Sequence, residues 1–408
     1  MPEVENFDVI VVGGGPGGST AAAFLGMKGR KVLVLEKGIF PRDKTCGDAV
    51  SGKSVGILSE LGLIERLQKA EHGQVTGLTF SSPNGKSITI PFRRGDKGIE
   101  KGYVCRRIVY DSLLFSHAKN TSKVLEGALV TSVVKEGGKI IGVKASLAGG
   151  AEKEFHAGII IGADGASSLI AREVRGARID PNHTCVAYRA YYSGVRGNDG
   201  TLEIHFVKSI LPGYFWIFPA DGGLMNVGLG MIMSDMKKTS ISLHKAMLDI
   251  IENNPLFEER FAGAKQVSPI AAWSLPLGSI RRKVHADGIL LVGDAAGLVD
   301  PFSGEGIGNA MLSGKLAATI ADQALSAGDT TEKFLSHYEE LLWKEIGGEL
   351  SMSYNMQRLG KVEWLLNFVI SKASSSDRAR EAISGTFSNP EAKKGYTSPL
   401  FYLKLLFL

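Results

Sequence analysis

Cysteine is scarce in this chain: three residues in 408, Cys46, Cys105 and Cys185, with no CxxC pair among them. So few ligands exclude a zinc ribbon, and an odd, sparse count argues against a disulfide framework and for a reducing compartment. No stretch approaches the roughly 20 consecutive apolar residues that span a bilayer. Low-complexity tracts, internal repeats and long linkers are missing as well. Charge of one sign is not in great excess either: 47 Lys and Arg stand against 42 Asp and Glu, a formal net charge of +5, and the basic residues are scattered. A nucleic-acid groove is therefore not expected, although the balance is compatible with an anionic membrane surface. The opening MPEVENFDVIVVGG puts acidic residues first and runs its apolar stretch straight into glycines, unlike a secretory leader. The expected location is cytoplasmic, either free or peripheral on the cytoplasmic face of the membrane.

What is present is ordinary for a globular protein, 44% hydrophobic and 22% charged, with length for two or three domains. Residues 7–12 (FDVIVV) read as a buried parallel strand. A glycine turn, a helix over 19–28 and a strand over 31–35 follow, a βαβ unit closing at Glu36. Residues 86–91 alternate weakly, 107–119 read as a helix, and 128–134 with 140–146 as a hairpin around Glu136-Gly137-Gly138. Residues 158–162 form another apolar strand ending in glycine. After about residue 176 aromatic-rich strands take over, at 185–193, 202–207, 214–219 and 224–231, the last two separated by Asp221-Gly222-Gly223. Residues 288–292 return to the first style and lead into a second glycine-rich turn and helix, and from about 330 the pattern is helical. The expected fold is α/β (α+β overall), with a discontinuous Rossmann-like dinucleotide domain at 1–75, 98–176 and 276–328. An antiparallel β-sheet domain, 76–97 and 177–275, interrupts it, and a helical C-terminal region, 329–408, completes the chain.

Gly13-x-Gly15-x-x-Gly18, with Pro16 and Gly17 inside it, lies between the first strand and the first helix. Such glycines let backbone approach a pyrophosphate, and the helix N-terminus presents free N–H groups with a partial positive charge. Glu36, followed by Lys37, ends the second strand where an acidic side chain meets ribose hydroxyls. This unit by itself does not distinguish FAD from NAD.

Two later segments do, through resemblance. Gly162-Ala163-Asp164-Gly165-Ala166-Ser167-Ser168 resembles the DG motif of the p-hydroxybenzoate hydroxylase-like flavoproteins. Leu291-Val292-Gly293-Asp294-Ala295-Ala296-Gly297, followed by Asp300-Pro301, resembles their GD motif. The resemblance implies bound FAD, with Asp294 on the ribityl chain and the loop from Pro301 through Gly304, Gly306, Ile307 and Gly308 beneath the flavin ring. It also implies that Arg107 contacts the cofactor. Three further segments resemble the geranylgeranyl reductase family: Phe40-Pro41-Arg42-Asp43-Lys44-Thr45-Cys46-Gly47-Asp48, Tyr214-Phe215-Trp216-Ile217-Phe218-Pro219, and Asn226-Val227-Gly228-Leu229-Gly230. That family implies a flavin-dependent reductase of isolated C=C bonds in an isoprenoid lipid, a prenyl diphosphate or a prenylated quinone. It places Cys46 and Gly47 beside the flavin, Cys46 as a modulator or proton donor, and Tyr214, Trp216, Phe218 and Asn226 at the substrate.

The residues read by themselves are consistent with this. In an extended strand Tyr214, Trp216 and Phe218 share one face, a flat apolar wall that suits either an isoprenoid chain or a sandwich core. A single dinucleotide fingerprint leaves the electron donor open between NAD(P)H and a reduced ferredoxin-type carrier protein. The apolar segments 364–370 and 400–408 read as body-packed helix or as an interfacial anchor. An aromatic monooxygenase of the same fold, and a non-catalytic flavin electron-transfer or lipid-carrier module, are the rival readings.

Overall fold

The computed structural model describes residues 4–92, 101–176 and 179–381. Its first sheet has the strand order His285–Ala286, Ile289–Leu291, Glu152–Gly162, Glu5–Val12, Val32–Glu36, Lys123–Glu126. The four central pairings, from Ile289–Leu291 to Lys123–Glu126, are parallel. Helices cover this sheet, so its strands are apolar on both faces, and Val9, Ile10, Val11 and Ile159–Ile161 have no solvent exposure. The expected hairpin is there as Leu129–Glu136 and Lys139–Ser146, joined antiparallel to Glu152–Gly162.

Register decides where the site lies. Val12 pairs with Gly162 and with Leu35, and Gly162 pairs with Leu291. The carboxyl ends of four strands therefore finish level, and the Gly13 turn, Glu36, Asp164 and Asp294 all leave the sheet at one edge. Open parallel sheets bind their ligands at that edge.

Helix Pro16–Met27 lies against helix Ile307–Ala327, and small residues allow the close approach. A Cβ on Gly314 would stand 2.3 Å from the Gly17 carbonyl oxygen, so that position tolerates only glycine.

The second sheet runs Lys265–Gln266, Thr184–Ser193, Leu224–Ile232, Tyr214–Pro219, Leu202–His205, Gly77–Ser81, Ser87–Pro91, with Ala271–Pro276 also on Thr184–Ser193. One pairing departs from the antiparallel expectation: Leu202–His205 runs parallel to Gly77–Ser81, because the edge hairpin comes from a distant part of the chain. Helix Leu243–Asn253, with Phe257 and Phe261, covers one face over Phe215, Ile217, Val227 and Leu229. The other face carries Trp216, Phe218 and Ala187 toward Ala49, Phe302 and helix Glu363–Ser375. A small third sheet joins Ala49–Val50, Gly102–Val104 and Gly73–Val75.

The C-terminal region forms helices Glu332–Leu359 and Glu363–Ser375. No helix among the described residues is long and apolar enough to cross a membrane. The apolar segment 400–408 lies outside the described residues.

Candidate active site

The dinucleotide cradle is built by the first βαβ unit. Gly13 has φ +104, and a Cβ there would lie 2.4 Å from the Ala163 carbonyl oxygen. A Cβ on Gly18 would lie 1.9 Å from the Gly13 carbonyl oxygen. The turn is thus wedged between its own helix and the Asp164 loop. Gly15 caps helix Pro16–Met27 without a side-chain hydrogen bond, and a Cβ there would meet nothing nearer than Arg42 at 3.9 Å. The Gly17 and Gly18 amides in the first helical turn remain available to an anion. Glu36 is buried, accepting from the Gly14 amide at 2.7 Å and the Gly38 amide at 2.8 Å, while Lys37 is exposed beside it. Open backbone over a helix N-terminus, with a carboxylate at the next strand end, fits the diphosphate and ribose of a dinucleotide.

The side chain that stands over this turn is Arg42. It lies 3.4 Å from Glu36 and 3.2 Å from Asp111. Arg107 is buried and grips Asp111 with two bonds of 2.6 and 2.7 Å. Its guanidinium also neighbours the Cys46 sulfur. A relay of charges, Glu36–Arg42–Asp111–Arg107, therefore connects the Glu36 end of the cradle to Cys46.

Asp164 of the DG motif accepts from the amides of Leu169 and Ile170 at 2.7 and 3.3 Å and from the Ser168 hydroxyl, so its carboxylate caps helix Leu169–Arg175. Gly165 has φ +80, with nothing within 4 Å of a built Cβ. The GD motif is held from several directions. The Gly293 amide donates to Ser313 at 3.0 Å, Tyr338 donates to the Leu291 carbonyl at 2.7 Å, and Lys44 pairs with Asp294 at 2.9 Å. Arg175 donates to the Ala295 carbonyl at 2.6 Å and Arg282 to the Gly297 carbonyl at 3.2 Å. In the loop that follows, buried Asp300 gathers the amides of Phe302 and Ser303. Pro301 is buried, Gly304 has φ +73, and Gly306 and Ile307 open helix Ile307–Ala327. Glu305 accepts from the Gly308 amide at 2.5 Å, so one donor of that helix end is already taken.

The CG segment and the aromatic strand meet through Asn226. Its Nδ2 donates to the Cys46 carbonyl at 2.7 Å and to Asp48 Oδ2 at 2.6 Å, and its Oδ1 accepts from Trp216 Nε1 at 2.9 Å. Gly47 sits under the wall, where a Cβ would come within 3.1 Å of the Phe218 ring. At the other end Tyr214 donates to the Ser303 carbonyl at 2.7 Å. Trp216 and Phe218 have centroids 6.3 Å apart, and Tyr214 and Trp216 6.1 Å. The three aromatics do share a face, partly covered by Met356, Leu366 and Ile370.

Burial dominates the electrostatics here. It pushes the Cys46 thiol above its ordinary value, with Arg107 opposing. It raises the Asp48 carboxyl to about 6, against the pull of Tyr191, Arg189 and Asn226. Tyr191 donates to Asp48 at 2.6 Å, and Arg189 stacks 4.2 Å from the Tyr191 ring while reaching Asp43 at 2.9 Å. Arg42, Lys44, Asp48, Asp111, Arg189 and Tyr191 were not singled out as site residues from sequence. The (i, i+4) spacing of Arg107 and Asp111 on a helix was a visible signal, and so were the basic residues flanking Cys46.

Comparison with known proteins places the chain in a family. A family model described as FAD binding domain matches residues 6–204, and one described as geranylgeranyl reductase catalytic domain matches residues 182–266. The chain is 32% identical over 365 residues to conditioned medium factor receptor 1 of Dictyostelium discoideum, covering 86% of this chain and 70% of that protein. It is 30% identical over 404 residues to digeranylgeranylglycerophospholipid reductase 1 of Methanothermobacter thermautotrophicus, covering 97% and 94%. With a menaquinone reductase of Mycobacterium tuberculosis the identity is 32% over 325 residues, covering 78% and 77%. Among solved structures, a geranylgeranyl bacteriochlorophyll reductase-like protein of Thermoplasma acidophilum superposes with a TM-score of 0.80 at 25% identity, covering 92% of this chain and 93% of that one. Flavin-dependent halogenases share the fold at lower identity.

Proposed function

Since the chain belongs to the geranylgeranyl reductase family of FAD-dependent oxidoreductases, we propose that it saturates isolated C=C bonds in a geranylgeranyl-type polyprenyl chain. The prenyl group is carried by a glycerophospholipid, a diphosphate or a quinone. In this reading residues 1–75, 98–176 and 276–328 hold the flavin, 76–97 and 177–275 receive the substrate, and helix Glu363–Ser375 of the C-terminal region covers it. The observation that carries the proposal is the double attachment of the aromatic strand. Asn226 ties it to the Cys46-Gly47 segment and Tyr214 ties it to the Ser303 loop. An apolar wall is thereby fixed beside both segments expected to flank the flavin ring.

When bound, reduced flavin supplies a hydride from N5. Gly13, Gly15, Gly17, Gly18 and Glu36 hold the dinucleotide, and Asp294 with Lys44 orients its ribityl end. Trp216 and Phe218 align the prenyl chain and exclude water, which an isolated alkene requires because no carbonyl stabilises a developing charge. Cys46, with Arg107 beside its sulfur, would serve as a modulator of the site or as proton donor to the alkene. The electrons come from NAD(P)H or from a reduced ferredoxin-type carrier.

The enzyme works in the cytoplasm against the membrane that holds its substrate. Helix Glu363–Ser375 supports this, because Trp364 at its start is 70% exposed.

The test is to reduce the bound flavin anaerobically with dithionite and add geranylgeranylated glycerophospholipids, diphosphates and quinones. Mass spectrometry is expected to show a gain of two hydrogens per reduced bond in one of these classes. Unchanged prenyl compounds, with NAD(P)H-dependent oxygen uptake on an aromatic substrate, would replace the reading with a monooxygenase.

A further inference from the structure

Asp48 has surroundings that a merely structural carboxylate does not need. It has no solvent exposure and sits at φ +65, in the left-handed region that side chains other than glycine rarely adopt. Both of its side-chain hydrogen bonds, from Tyr191 and Asn226, reach Oδ2. Among the described residues Oδ1 has no partner, although it is buried. A bare anionic oxygen in that position is costly, whereas a carboxyl protonated on Oδ1 leaves only a neutral group unsatisfied. The two donors on Oδ2 and the nearby guanidinium groups of Arg189 and Arg107 stabilise the anion once the proton has left.

We propose that Asp48 is the proton store of the active site and acts through the neighbouring Cys46 thiol. The inference rests on the prenyl-reductase reading and names the source of its proton. The Cys46 S–H bond breaks as a C–H bond forms on the alkene carbon that does not receive the hydride. The Asp48 O–H bond breaks as the S–H bond reforms, and the carboxylate regains its proton from water before the next turnover. The hydride brings the electron pair, so the π bond is replaced by two C–H bonds and charge balances.

Acid strength favours this division of labour. The Cys46 thiol is pushed above its ordinary value of 9.0, which makes it a weak acid. Asp48, raised to about 6, is far closer to working pH, where general acids are most effective. Cys46 and Asp48 share one loop, and a single Asn226 amide bridges the Cys46 carbonyl to the Asp48 carboxyl. The titratable and charged groups around Asp48 are Tyr191, Arg189 and Arg107, and the thiols of Cys46 and Cys105, both of which feel its charge. Asp48 is a positioning residue in the sense that it acts on substrate only through sulfur.

Two experiments test the proposal. Infrared difference spectra of the purified protein against Asp48→Asn are expected to show a protonated-carboxyl band that disappears as pH rises through about 6. That readout does not depend on any substrate, so it stands even if prenyl reduction fails. In anaerobic single turnovers, Asp48→Asn is expected to lower the saturation rate by about 100-fold or more, leave KM little changed, and abolish the pH dependence, with Asp48→Glu restoring part of it. Tyr191→Phe removes a bond that stabilises the anion, so it is expected to move the pH midpoint upward, and it serves if the Asn variant does not fold. Absence of the infrared band above pH 5, or a Tyr191→Phe profile identical to wild type, overturns the proposal.

Discussion

Asn226 carries three hydrogen bonds that together join the aromatic strand to the CG segment. Replacing it by leucine keeps the volume but strands Trp216 Nε1 and removes a donor from Asp48. Asn226→Leu is expected to cost about 1–3 kcal/mol in denaturant unfolding, and to weaken flavin retention by loosening Cys46-Gly47. Asp48 makes a second prediction at this scale. Because burial raises its pKa from 3.8 to about 6, its contribution to stability is fully present below pH 3.8 and lost as pH rises through about 6. The melting temperature of Asp48→Asn is therefore expected to climb relative to wild type between about pH 4 and pH 7, and a pH-independent difference would contradict the assignment. Residues of the cradle were legible in sequence because their partners are local: Gly14 and Glu36 are 22 positions apart within one βαβ unit. Asp48 was not, because its partners Tyr191 and Asn226 lie 143 and 178 positions away. No local pattern encodes such a meeting.

Among elements, the glycine turn and its helix are fixed by sterics. Gly18→Ala would drive a Cβ to 1.9 Å from backbone, and the variant is expected to lose bound flavin, read as loss of visible absorbance on gel filtration. Gly56→Ala is the contrasting case. Gly56 lies exposed in helix Gly52–Glu60 with nothing within 4 Å of a built Cβ, and alanine is expected to stabilise by about 0.5–1 kcal/mol. Tyr214–Pro219 was legible from its alternating aromatics, and residues 158–162 of strand Glu152–Gly162 from the apolar run ending in glycine, whereas its polar start at 152–157 was not. Helices Gly52–Glu60 and Leu243–Asn253 escaped the reading although each has a serine N-cap, Ser51 and Ser242. Their neighbours in sequence carry the stronger glycine and aromatic patterns. The parallel pairing of Leu202–His205 with Gly77–Ser81 depends on tertiary placement alone.

For the molecule as a whole, the order of patterns along the chain revealed a parallel sheet interrupted by a second sheet, and level strand ends then gather distant motifs at one edge. In the proposed reading the chemistry sits where that edge faces the aromatic wall, so that Trp216, a member of a core cluster, would also line the site. If the protein takes lipid from a bilayer beside Trp364, then Trp364→Glu is expected to reduce flotation with anionic phosphatidylglycerol vesicles while leaving bound flavin intact. Equal flotation would remove this helix from membrane contact. The central claim, that reduced flavin gives its electrons to a prenyl double bond, is tested most directly by anaerobic reoxidation. The flavin is photoreduced without oxygen, a geranylgeranylated lipid is added, and the return of oxidised flavin absorbance is followed alongside product mass. The account predicts one double bond saturated per flavin reoxidised, in the complete absence of oxygen. Flavin that stays reduced with every prenyl compound, and reoxidises only when oxygen enters with an oxygen atom appearing in the product, would contradict it.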